Sequence, residues 1–99
     1  MSLKFTLNDN IITYTFSPRM DTVHSKEIEA ELTDQMARHD GGVVFDLQGV
    51  EFISSMFLRL CIMAAKRCGS ERFSFINVSP PVKKVIKTAG FDTLSLIKE

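Results

Sequence analysis

Ninety-nine residues with 44% hydrophobic and 24% charged side chains make one globular domain of modest size, with room for a single core. Twelve basic residues balance twelve acidic ones, which disfavours nucleic acid as a partner, because binders of the phosphate backbone carry a basic excess. No apolar run approaches the ~18 residues of a membrane span and the LKFTLNDN start is too polar for a signal peptide, so residues 1–99 read as one soluble, cytoplasmic domain without membrane insertion.

Lys4–Leu7 and Ile11–Ser17 are rich in β-branched and aromatic residues and flank Asn8-Asp9-Asn10, the pattern of an antiparallel hairpin. Pro18 stops the second strand. Asp21 is placed to N-cap a helix over Thr22–Arg38, in which Ile28, Leu32 and Met36 recur every four residues and form an apolar face. Gly41-Gly42 ends the connection, and the run Val43–Leu47, interrupted only by Asp46, predicts a central parallel strand covered on both faces.

Ser54 and Ser55 then open an almost wholly apolar helix over Met56–Cys68, where Arg59 and Lys66 are seven apart and share a face. Gly69 suits the C′ position, and Phe73–Val78 predicts another strand. Ser79-Pro80-Pro81 starts a helix with proline in its first turn, and Val82, Val85, Ile86 and Ala89 follow at i, i+3, i+4 and i+7 up to Gly90. Leu94–Ile97 completes the series as a short final strand. The order β-β-α-β-α-β-α-β predicts an α/β domain with a mainly parallel sheet, an antiparallel N-terminal edge strand and three right-handed crossover helices. In such sheets the functional surface lies at the carboxyl ends of the strands, which selects Leu47–Met56, Ser17–Thr22 and Ser79–Pro81.

Ser55 is the leading candidate for a site. A hydroxyl at the start of a helix faces free backbone N–H groups and partial positive charge, so a phosphate there is well accommodated. A serine that only caps its helix has the same appearance in sequence, and both readings stand. Cys61 and Cys68 lie seven apart on one helix, roughly 10 Å between Cα atoms, beyond the reach of a disulfide. They fit no metal spacing and read as buried free thiols. His24 and His39 have no neighbouring carboxylate or cysteine pattern that suggests catalysis, and His39 suits the C-terminal end of its helix. Asp46 at a strand end suggests a phosphoryl-accepting carboxylate, but no acidic cluster supplies Mg²⁺, no Gly-rich loop or Walker-type lysine is present, and the serines lack a base. The sequence therefore reads as a binding protein without catalytic residues, metal or cofactor.

Four segments in order resemble the STAS domain of the anti-sigma factor antagonist family: Arg19-Met20-Asp21; Val43-Val44-Phe45-Asp46-Leu47 with Gly49-Val50 and Phe52-Ile53-Ser54-Ser55; Leu58-Arg59-Leu60; and Ser79-Pro80-Pro81-Val82 through Thr88-Ala89-Gly90-Phe91. The resemblance implies a partner switch. Such an antagonist binds an anti-sigma factor that is also an ATP-binding serine kinase, is phosphorylated by it on a serine at the start of the second helix, and is reset by a serine phosphatase. Matching that pattern places the phosphoacceptor on Ser55, with Ser54 as the alternative, and a partner-binding surface over Asp21, Asp46, Ser54, Ser55, Met56, Phe57 and Arg59. The alternative function is that of a non-phosphorylated STAS adaptor subunit in a larger signalling or transport assembly.

This chain departs from the family pattern in the same place. Ser54 stands where aspartate is usual, Met56 where a small hydroxyl residue is common, and Phe57 where glycine is usual. Phe57 is either buried or an exposed docking knob, with burial the preferred expectation. The family also continues into an amphipathic helix, whereas this chain stops at Glu99. Either a helix packs elsewhere or one sheet face is left partly bare, and a bare apolar face leads to the expectation of a homodimer or a docked partner there.

Overall fold

The computed structural model describes residues 3–69, 71–91 and 93–98. Two strands, β1 (Lys4–Asn8) and β2 (Ile11–Thr15), form the N-terminal hairpin, with Phe5 opposite Tyr14 and Leu7 opposite Ile12. Its two-residue turn, Asp9-Asn10, has φ of 51° and 63°, the left-handed pair that matches the twist of the flanking strands and that Asp and Asn tolerate. A two-residue strand β3 (Arg19–Met20) leads into α1 (Thr22–Arg38), which spans the predicted residues and is capped by Asp21.

Next come β4 (Gly42–Asp46), a second two-residue strand β5 (Phe52–Ile53), α2 (Ser55–Cys68), β6 (Phe73–Ile76) and α3 (Pro80–Thr88). The predicted final strand over Leu94–Ile97 is instead one helical turn, α4 (Thr93–Leu96), followed by β7 (Ile97–Lys98). Four residues with apolar side chains at 94, 96 and 97 fit a strand and a helical turn equally well. Tertiary packing decides: Phe91 stacks edge-on against Phe75 at 5.6 Å, and α4 lowers Leu96 into the core before Ile97 pairs with Phe75. Glu99 lies outside the described residues.

The main sheet runs β1-β2-β4-β6-β7, antiparallel between β1 and β2 and parallel elsewhere, so β4 is central as expected. Its order is monotonic along the chain. Successive right-handed crossovers that step in one direction place every helix on the same face. The expectation that β4 is covered on both faces is therefore corrected: Val43 and Phe45 are buried, whereas Gly42, Val44 and Asp46 on the other side are half-buried.

The covered face holds the core. Phe45 is its hub, with ring centroids 5.0–6.2 Å from Phe16, Phe57, Phe73, Phe75 and Tyr14. Above it, α1 contributes Ile28, Leu32 and Met36, and α2 contributes Leu60, Cys61 and Ala64. The opposite face is open, but it is not the bare apolar face expected from sequence. By register it carries Lys4, Thr6, Thr13, Thr15, Asp46, Ser74 and Lys98 around Ile11, Val44 and Ile76, a mixture that water tolerates.

Cys61 is fully buried and Cys68 half-buried, both free, and burial raises both thiols above their ordinary value. Among the described residues no helix is long and apolar enough to cross a membrane.

Candidate functional site

The strands β3 and β5 pair in parallel, Arg19 beside Phe52 and Met20 beside Ile53, as a small ribbon at the carboxyl ends of the main strands. Hydrogen bonds to the Pro18 carbonyl from Glu51 N (2.8 Å) and to the Met20 carbonyl from Ser54 N (2.9 Å) lock its register. Each strand runs straight into a helix, so the ribbon sets two N-caps side by side, Asp21 for α1 and Ser54 for α2. Two helix N-termini thus share one patch of surface, that of α1 carrying the Asp21 carboxylate and that of α2 a neutral hydroxyl cap.

The two serines divide the work. Ser54 Oγ accepts from Phe57 N at 3.2 Å and is the cap. Ser55 is the first helical residue, exposed, and its hydroxyl makes no hydrogen bond among the described residues. Arg59, one turn further on and exposed, lies on the same face of α2 as Ser55.

Phe57 has no exposed surface; its ring packs edge-on against Phe16 at 4.9 Å and lies 6.2 Å from Phe45. It is a core residue, so of the two alternatives burial holds and the docking knob does not. Burying a phenylalanine at the helix's first turn anchors that turn to the sheet and leaves Ser55 on the opposite, outer side. Met56 is half-buried against the core.

Asp21 Oδ1 accepts from His24 N at 2.9 Å and meets His24 Nδ1 at 2.7 Å. The backbone N–H of His24 first, then its ring, holds the Asp21 carboxyl below its ordinary value. His24 therefore does have a carboxylate neighbour, unseen in sequence because a capping geometry, not adjacency, brings the two together. Asp46 Oδ1 accepts from Gln48 N and Asn77 Nδ2, both at 3.0 Å, and ties the loop after β4 to the loop after β6, where Asn77 has φ of 56°. His39 sits at the end of α1 with Nε2 3.0 Å from the Gly42 carbonyl oxygen.

Asp21, Ser54 and Ser55 are thus gathered at the ribbon end, with Arg59 one turn along α2; Asp46 stands at the end of β4, engaged in loop contacts; and Phe57 points inward. Two residues of the patch escaped sequence reasoning as site residues. The Arg19 guanidinium lies 4.5 Å from the centroid of the Phe52 ring, and Phe52 is 40% exposed, so a flat cationic and aromatic surface borders the two caps. Alternation within Phe52-Ile53 was the available signal, but two residues are too few to read a period. Among the described residues no group of three His, Cys, Asp or Glu side chains could hold a metal ion.

Residues 2–99 match the family model of the STAS domain. The chain is 28% identical over 74 residues to the Bordetella bronchiseptica protein "Putative anti-sigma factor antagonist BtrV", an alignment that covers 73% of this chain and spans 64% of that relative's length. Among solved structures, an anti-sigma-factor antagonist (STAS) domain protein from Planctomyces limnophilus superposes with a TM-score of 0.83 at 22% identity, over 99% of this chain and 89% of that one. The Bacillus cell fate determinant SpoIIAA superposes in its phosphorylated form with a TM-score of 0.75 at 13% identity, over 98% and 91% of the two chains. Its unphosphorylated form gives 0.72, also at 13%, over 98% and 87%.

Proposed function

The chain belongs to the STAS domain family, and from that premise we propose that it is an anti-sigma factor antagonist: a binding protein that takes an anti-sigma factor away from its sigma factor and is controlled by phosphorylation of Ser55. The partner is an anti-sigma factor with ATP-dependent serine kinase activity, and a serine phosphatase restores the binding form. One observation carries this reading. Of two adjacent serines at a helix N-terminus, Ser54 is occupied as the cap and Ser55 presents an unengaged hydroxyl to solvent.

The chemistry follows from that placement. A phosphate adds about −1.5 to −2 charges at neutral pH. The α2 N-terminus and Arg59 accommodate that charge within the domain, so the fold persists. A partner surface fitted to the unmodified patch meets a new, hydrated double charge, and the interface is lost without unfolding. Arg19, Asp21, Phe52, Met56 and Arg59 form the surrounding contact surface in this reading, and Asp46 holds the adjoining loops in place.

The test is affinity purification from the source cell, with phosphopeptide mapping of the wild type beside Ser55→Ala and Ser54→Ala. An ATP-binding kinase is expected to co-purify, and phosphate is expected on Ser55, lost in Ser55→Ala and kept in Ser54→Ala. Ser55→Asp should release the partner while the circular dichroism spectrum stays native. A stable transporter ATPase partner with no phosphate under any growth condition would replace the switch by the adaptor function.

A further inference from the structure

The zero net charge conceals a division between helices. On α1, Glu27, Glu29, Glu31 and Asp34 outnumber Lys26 and Arg38, whereas α2 and α3 together carry Arg59, Lys66, Arg67, Lys83, Lys84 and Lys87 and no acidic residue. Arg67 is engaged at the end of α1, donating to the carbonyls of Met36 (2.8 Å) and Ala37 (3.1 Å). Arg59, Lys66, Lys84 and Lys87 take part in no salt bridge among the described residues.

Of these cations Lys84 lines an apolar groove, and Arg59 follows Leu58, another of its lining residues, on α2. Helix α1 packs along α2, while α3 packs on β5 and α4. Between α2 and α3 lies an open groove of about 320 Å³ lined by Leu58, Lys84, Val85, Thr88 and Ala89. Ile62 extends the apolar stripe one turn along α2; it is 37% exposed and Val85 39%. Single exposed apolar side chains need no explanation, but an apolar groove between two helices that carry charges of one sign does. A groove between two helices fits a third helix, read at i, i+3, i+4 and i+7. A nucleic acid would satisfy the cations but not the apolar floor.

We propose that the α2–α3 groove docks an acidic amphipathic helix of a protein partner, its apolar face on Leu58, Ile62 and Val85 and its carboxylates against Arg59 and Lys84. The docking requires no modification of Ser55. Ser55 does open the same stripe, since Ser55, Leu58, Arg59 and Ile62 recur at i, i+3, i+4 and i+7. A phosphate placed there would therefore oppose the carboxylates of the docked helix.

The test uses the unphosphorylated full chain, isotopically labelled, titrated with a designed amphipathic peptide of about eighteen residues, long enough to be helical. One face of the peptide is leucine and the other glutamate. Amide shifts are expected over residues 58–62 and 84–89. Val85→Asp and Lys84→Glu, both at exposed positions, should each lower affinity at least tenfold, and a peptide with lysine in place of glutamate should bind at least tenfold more weakly. Shifts confined to the open sheet face or to α1, equal binding of the lysine peptide, or no binding would overturn the proposal. So would displacement of the peptide by single-stranded DNA, or molar-mass evidence that α1 of a second copy occupies the groove. Because no phosphate is present, failure here leaves the assignment of Ser55 untouched, and failure of that assignment leaves this result untouched.

Discussion

Ser54 and Ser55 are chemically identical neighbours, and the difference between them is one of geometry. Ser54 satisfies the amide of Phe57, so Ser54→Ala should lower stability by about 1 kcal/mol, the ordinary cost of a lost N-cap, visible as a lower denaturant midpoint with unchanged slope. Ser55→Ala removes an exposed hydroxyl without a hydrogen bond among the described residues and should stay within about 0.5 kcal/mol of the wild type. Asp21 gives a pH test at the same scale. Its carboxyl is held below the ordinary value of 3.8 in the folded chain, so its contribution is complete above that pH and lost as pH falls through the lowered folded value. Asp21→Asn keeps a good cap but not the charge; its stability should therefore fall less steeply than the wild type's below pH 3.8, measured as denaturant midpoint against pH. From sequence, both serines were visible as a helix start and Asp21 as a cap. Which serine caps was not, because that depends on the turn at which β5 becomes α2.

At the scale of elements, legibility followed length. Helix α1 was readable to its ends because four turns of periodicity, an acidic cap and a terminal glycine pair agree. The β3–β5 ribbon that positions both caps was invisible, since two-residue strands have no period and are held by backbone bonds to Pro18 and Met20 that no side-chain pattern encodes. The tightest connection is likewise a backbone matter. A Cβ on Gly41 would stand 2.0 Å from the Asn10 carbonyl oxygen, the same oxygen that accepts from Gly42 N at 3.2 Å. Gly41→Ala must push the loop before β4 away from the β1–β2 turn, at a cost of about 1–3 kcal/mol, as for overpacked sites generally. Gly42→Ala meets first the Ile11 side chain, at 3.3 Å, which can yield, and should cost less. Thermal melts of the two variants side by side check the order.

For the whole molecule, the one-sided arrangement of helices was the feature hardest to foresee. An apolar run such as Val43–Leu47 reads as a strand buried on both faces, and only strand order together with crossover handedness shows that one face stays open. The consequence is a core of a single layer, gathered on Phe45. That ring touches aromatic side chains from β2 and its following loop on one side, from β6 on the other, and from α2 above. Every part of the sheet that flanks the site therefore shares one contact. Phe45→Ala should cost about 3–5 kcal/mol, a large share of the roughly 5–15 kcal/mol that stabilises a domain of this kind, and leave much of the chain unfolded. Phe45→Leu keeps an apolar side chain there and should cost roughly 1–2 kcal/mol while remaining folded. If the core is one cooperative unit, the Phe45→Leu chain unfolds in denaturant through a single transition, with near-ultraviolet and far-ultraviolet circular dichroism coincident and both midpoints lowered equally. Two separated transitions would mean that the β1–β2 hairpin and the β6–β7 half hold independent cores, and that Phe45 merely lies between them.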